Sequence, residues 1–93
     1  MLRSIAKFEK KSGILRLILF LSESGEIMLS SIWPDSGISV HQGYDALESL
    51  KELGIAKARI DNSRYPPKHM ISLTSKGVEI AQKLKEIEII LAK

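Results

Sequence analysis

Ninety-three residues, 44% of them hydrophobic, suit one compact domain with a single core spanning 1–93. The chain has no cysteine and only two histidines, which excludes a disulfide framework and leaves a Cys/His zinc site short of ligands, so no metal or other cofactor is expected. A net charge of +3 permits a polyanionic partner without requiring one.

The longest apolar run, Ile14 to Leu21, is interrupted by Arg16 and falls far short of the roughly 20 residues needed to span a bilayer. The N-terminal stretch carries Arg3, Lys7, Lys10 and Lys11 but no small-residue cleavage site after an apolar segment, so a secretory signal is not expected. A cytoplasmic protein with no membrane contact is the expectation.

In chain order, Leu2, Ile5 and Phe8 fall at helical spacing and predict either a short preceding helix or a long first helix bent near Gly13. A central helix follows, with Ser12 as N-cap and Gly25 as its stop. Ile27 to Leu29 predicts a short strand, and Ser30 to Trp33 a brief helix whose length Pro34 limits. The Asp35-Ser36-Gly37 run is turn chemistry, and Ser39 caps a helix running to Leu53 and halted by Gly54. In that helix Gly43, Ala46, Leu47, Leu50 and Leu53 share an inward face, while His41, Asp45, Glu48 and Glu52 lie opposite, flanked by Gln42 and Tyr44.

From Ile55 to Ile60, Ala56, Ala58 and Ile60 alternate with Lys57 and Arg59, which predicts a strand with one wet face. Asp61-Asn62-Ser63 supplies a turn, Tyr65-Pro66-Pro67 prevents pairing at the tip, and His69 to Leu73 returns antiparallel. Thr74 then caps a final helix that nearly reaches Lys93. Trp33, beside Pro34 and with no companion aromatics forming a box, is expected to anchor a core or an interface.

The fold class expected from this order is mainly α with a small β-hairpin (α+β). Ile38-Ser39 opening a helix, Leu47-x-x-Leu50-x-x-Leu53-Gly54-Ile55, and a basic hairpin returning into Ser72-Leu73-Thr74-Ser75-Lys76-Gly77 together resemble the winged helix-turn-helix transcription regulators of the MarR and ArsR kind, over roughly Ser12 to Leu84. The resemblance implies double-stranded DNA as partner. A helix fits the major groove, where base edges carry a readable code, and a basic hairpin can neutralise phosphates. Carried over by position, Ser39, His41, Gln42, Tyr44 and Asp45 would face bases or adjoining phosphates, with Gln42 the base-reading candidate. Arg59, Arg64 and Lys68, and less directly Lys57, would be the wing contacts.

Charge is unevenly spread. Glu23 to Gly54 holds six acids against Lys51, whereas Ile55 to Thr74 holds four basic residues against Asp61. The acidic middle third supports an alternative, a winged-helix module whose acidic face docks a basic protein. Catalysis is not expected. The carboxylates of Asp45, Glu48 and Glu52 lie on an exposed helix face where no burial would raise a pKa, and no nucleophile triad, P-loop or dinucleotide fingerprint occurs. In the final helix, Ile80, Leu84, Ile87 and Leu91 form one apolar stripe, expected to fill the core, and Val78, Ala81, Ile89 and Ala92 a second. A monomer rarely buries two faces of a terminal helix, so the second stripe is expected to form a homodimer interface aided by the N-terminal segment.

Overall fold

The computed structural model describes residues 5–9 and 12–93. Among these residues a single 3-10 turn (Lys7–Glu9) precedes helix α1 (Ile14–Ser24), strand β1 (Ile27–Met28), helices α2 (Leu29–Ser36) and α3 (Val40–Glu52), strands β2 (Ala56–Asp61) and β3 (Lys68–Leu73), and helix α4 (Ser75–Leu91). Leu2, Arg3, Lys10 and Lys11, invoked from the sequence, lie outside the described residues.

Helix α1 is the hub. Ile14, Leu17, Ile18 and Leu21 recur at three- and four-residue steps and are each at most 1% exposed, enclosed by α3, α4 and β3. Ile32, Ala46, Leu50, Ile55, Ile71 and Ala81 complete the core. The start of α1 differs from expectation. Gly13, not Ser12, is the N-cap, and no side chain caps the first turn. At the other end the Gly25 N–H bonds the Leu21 carbonyl at 3.0 Å, as a terminating glycine should.

Pro34 does not close α2 as expected. The helix continues to Ser36: proline's fixed φ is itself helical, and the chain runs on for two more residues at the cost of one bond, to the Ser30 carbonyl. Gly37, left-handed at φ 75, ends it. The connection to α3 is then held at three points: the Ile38 N–H donates to Ser36 Oγ at 3.3 Å, Arg16 Nη1 donates to the Gly37 carbonyl at 2.9 Å, and the Gln42 N–H donates to Ser39 Oγ at 3.3 Å. The result is two helices joined by a three-residue glycine-containing turn, the helix-turn-helix arrangement.

The sheet is antiparallel with strand order β1-β3-β2, in register Ile27↔Ile71 on one side and Ala58↔Ile71 on the other. Of the three residues expected to face inward from β2, only Ala56 is buried, whereas Ala58 and Ile60 are exposed. β2 is an edge strand, and only its base lies over the helices. The outer half of the hairpin projects beyond the body.

Helix α4 is welded to the end of α3. The Thr74 N–H donates to the Ile55 carbonyl at 2.9 Å, Thr74 Oγ1 donates to the Gly54 carbonyl at 2.6 Å, and Lys76 Nζ donates to the Leu53 carbonyl at 3.0 Å. The same Thr74 hydroxyl caps α4 by accepting from the Gly77 N–H at 3.1 Å. The Leu-Thr-x-Lys-Gly run thus satisfies carbonyls at the end of one helix while starting the next.

No helix of the described residues is long and apolar enough to cross a membrane.

Candidate nucleic-acid interface

The N-terminal half of α3 stands clear of the body. Ser39, Val40, His41, Gln42, Tyr44 and Asp45 are all exposed, while Gly43, Ala46, Leu47 and Leu50 on the opposite side are buried. Capping by Ser39 fixes where the helix begins and hence which side chains project first. The helix is also fixed sideways. The Trp33 indole of α2 lies directly over Gly43, where a Cβ would fall 2.0 Å from a ring carbon, and meets the Tyr44 ring at a centroid distance of 5.0 Å and a tilt of 49°. Trp33 is therefore the anchor between the two helices of the motif, as its isolation in the sequence suggested.

Two of the carboxylates on this face have nitrogen neighbours on the same helix. His41 Nε2 lies 4.0 Å from Asp45 Oδ2, and Lys51 Nζ lies 3.6 Å from Glu48 Oε2, both exposed contacts within one helix. The acidic stripe along α3 consequently has a lysine beside one of its three carboxylates and an imidazole near another.

The hairpin brings Lys57, Arg59, Arg64 and Lys68 together, but it does not treat them alike. Lys57 and Arg64 are exposed and Lys68 is half-buried at the foot of the loop. Arg59 is engaged: its Nε donates to Glu26 Oε2 at 2.7 Å and its Nη2 to Glu26 Oε1 at 2.6 Å. Arg59, expected as a wing contact, thus has two of its five donors already held by a carboxylate. The Arg59 hydrogen bonds hold the Glu26 carboxyl below its usual range, so both partners are ionised at neutral pH. Glu26 lies 33 residues away, and its role had no local sequence signal.

At the tip, the Asp61 carboxylate accepts from the Ser63 N–H at 3.0 Å and from the Ser63 hydroxyl, which lowers its pKa and closes the turn. Tyr65 beyond it is 97% exposed. A notch of about 220 Å³ separates the wing from α3, lined by Met28, Leu29, Ser30, Tyr44, Pro67, Lys68 and His69.

The expected dimer residues fall into two groups. Val78, Ile89 and Ala92 are exposed, but Ala81 is completely buried against the core and cannot belong to a surface patch. The other stripe also divides: Ile80 and Leu84 pack on the core, whereas Ile87 and Leu91 are 50% and 74% exposed because α4 outruns the body. Ile5, Phe8, Leu15, Ile80, Leu84 and Ile87 line an apolar groove of about 580 Å³ at this side of α4. The alternation in the sequence showed two apolar faces; where the body ends along the helix it could not show.

Neither a family model nor a curated protein matches the chain by sequence. Solved structures do match it. A protein assigned to the MarR family of transcriptional regulators from Porphyromonas gingivalis W83 superposes with a TM-score of 0.76 at 21% identity, over 99% of this chain and 89% of that one. The reduced form of the transcriptional regulator YodB from B. subtilis gives 0.75 at 20% identity, over 96% and 85%. Bacillus subtilis PadR in complex with operator DNA gives 0.59 at 22% identity, over 78% of this chain and 46% of that one. The fold is the winged helix of the MarR-type regulators, as the order of elements and the Leu-Thr-x-Lys-Gly run implied.

Proposed function

We propose that the protein is a cytoplasmic, homodimeric transcription regulator that binds double-stranded DNA sequence-specifically and catalyses no reaction. The observation that carries the reading is the exposed, Ser39-capped start of α3 standing beside a basic hairpin. Gln42 reads a base edge in the major groove, where an amide can pair with adenine; Ser39, His41 and Tyr44 contact the adjoining backbone. Asp45 is the least suited of the five to a phosphate, since its carboxylate carries the same sign of charge. Lys57, Arg64 and Lys68 supply the phosphate contacts of the wing. The chain's likeness to a PadR structure solved with operator DNA supports the same arrangement.

The partner in the dimer is a second copy, seated on the groove and on the exposed Ile87, Ile90 and Leu91 of α4, with Ile5 and Leu15 contributing. Apolar surface of this extent on a projecting helix is what a paired helix would cover. Two copies so joined present recognition helices to half-sites about 34 Å apart.

The test is duplex binding as a function of salt. Replacing Lys57, Arg64 and Lys68 together with alanine should flatten the logarithmic salt slope by up to about 3 units and weaken binding on unrelated sequences alike, each lost phosphate contact removing roughly 0.9. A slope unchanged by the triple replacement would remove the wing from the interface. Binding to a basic protein with none to duplex DNA would favour the acidic-face alternative.

A further inference from the structure

We infer that Glu26 is an internal counter-anion of the wing, holding the Arg59 guanidinium away from DNA and thereby lowering sequence-independent affinity. The inference rests on the reading of the hairpin as a phosphate-binding wing, and it adds an affinity-setting residue that lies outside both the hairpin and α3.

Three observations carry it. The first is geometry. Glu26 occupies the Nε–Nη2 edge of Arg59 with two bonds of 2.7 and 2.6 Å, the fork that a phosphate would also use. The second is placement. Glu26 immediately precedes β1, at the far edge of the β1-β3-β2 sheet from Arg59, so its side chain reaches the guanidinium across β3. On β2, Lys57, Arg59 and Asp61 alternate onto one face, and Lys68 is the cross-strand partner of Asp61. That face would carry three cations and one anion without Glu26; with Glu26 bound, the excess is halved. The third is exposure. The Arg59 and Glu26 side chains are 55% and 35% exposed, and so open an ion pair adds little to folding stability. Its larger effect is on the number of cations available to displace counterions from DNA.

A carboxylate that occupies a wing arginine weakens binding to every duplex equally. It leaves base contacts from Gln42 untouched, so the ratio of specific to non-specific affinity is preserved while sequence-independent affinity, and with it retention on random DNA, falls. Freeing one arginine should add one phosphate contact, steepening the salt slope by about 0.9; referred to 1 M salt, this is a gain of roughly eightfold at about 0.1 M.

The experiment measures binding of the full chain to a random-sequence duplex across a salt series. Glu26→Gln should steepen the slope by about 1 unit and tighten binding roughly eightfold at about 0.1 M, whereas Glu26→Asp, which keeps the charge, should follow the unmodified protein. A purely structural role would not steepen a salt slope. The double replacement Glu26→Gln with Arg59→Gln deletes the pair and should restore the original slope. A slope flatter by about 1 unit in that double variant would mean that Arg59 already contacts phosphate beside Glu26, and would overturn the inference. An unchanged slope in a folded Glu26→Gln protein would overturn it as well, while a flattened slope in the Lys57, Arg64 and Lys68 variant would leave the wing reading standing. If that triple variant also shows no change, the wing reading falls and the inference with it.

Discussion

Gly77 sits where α4 presses on the end of α3, and Gly77→Ala tests whether that junction is as tight as it looks. A methyl at this position would lie 2.2 Å from the Ile55 carbonyl oxygen, far inside an ordinary contact of about 3.5 Å, and the obstacle is backbone rather than a side chain that could swing away. The first turn of α4 must therefore retreat by about 1 Å. Retreat stretches the Thr74 N–H bond to Ile55, the Thr74 hydroxyl bond to Gly54 and the Lys76 bond to Leu53 together. At roughly 1 kcal/mol each the gross loss is about 3 kcal/mol, against about 1 kcal/mol gained from alanine's better helix propensity. The net destabilisation should be about 1–2 kcal/mol. Thermal melting followed by circular dichroism should register it as a fall of about 5–15 °C for a domain of this size. A variant as stable as the parent, or more so, would show that propensity outweighs the contact and that the junction yields freely.

Gly43→Ala should also destabilise, by roughly 1–3 kcal/mol in urea melts, because its Cβ would meet the Trp33 ring; in a Trp33→Leu background the same change should instead stabilise by about 1 kcal/mol, as expected once the ring is gone. Gln42→Ala should cost roughly 1–3 kcal/mol on a preferred duplex and much less on random sequence, and equal losses on both would mean that it reads no base. Ile87→Glu should yield a folded monomer in sedimentation, since a charge in a covered apolar face is unpartnered, while Ile89→Glu on the other face of α4 should stay dimeric. A dimeric Ile87→Glu protein would sink the proposed interface.

Elements defined by local chemistry were legible from the residues alone. Ser39 and Thr74 cap the helices they were expected to cap, and Gly25 and Gly54 stand where α1 and α3 end. These devices act within a few residues, so the sequence contains both partners. Pro34 bounds α2 less tightly than expected because proline's fixed φ is itself helical, so the helix can run two residues past it at the cost of one bond. Ala58 and Ile60 have the alternation of a buried strand, but alternation specifies a face and not whether a body lies behind it. Ala81 is buried and Ile87 half exposed, the reverse of what their stripes suggested, for the same reason. Glu26 was beyond reach altogether, since its pairing with Arg59 exists only once β1 and β2 flank β3.

The indole over Gly43 has an optical consequence. Trp33 is the single tryptophan of the chain, so its emission arises from one place, the contact between α2 and α3, and its neighbour Tyr44 stands on the exposed side of the helix that meets DNA under the proposed function. Any ligand that shifts Tyr44 or tilts α3 changes the polarity and packing around that one fluorophore. Unlabelled protein can therefore report occupancy of the recognition helix in real time, in stopped flow or titration. A wing that bound alone would leave the emission unmoved, which separates the two halves of the interface by wavelength and intensity without a single substitution.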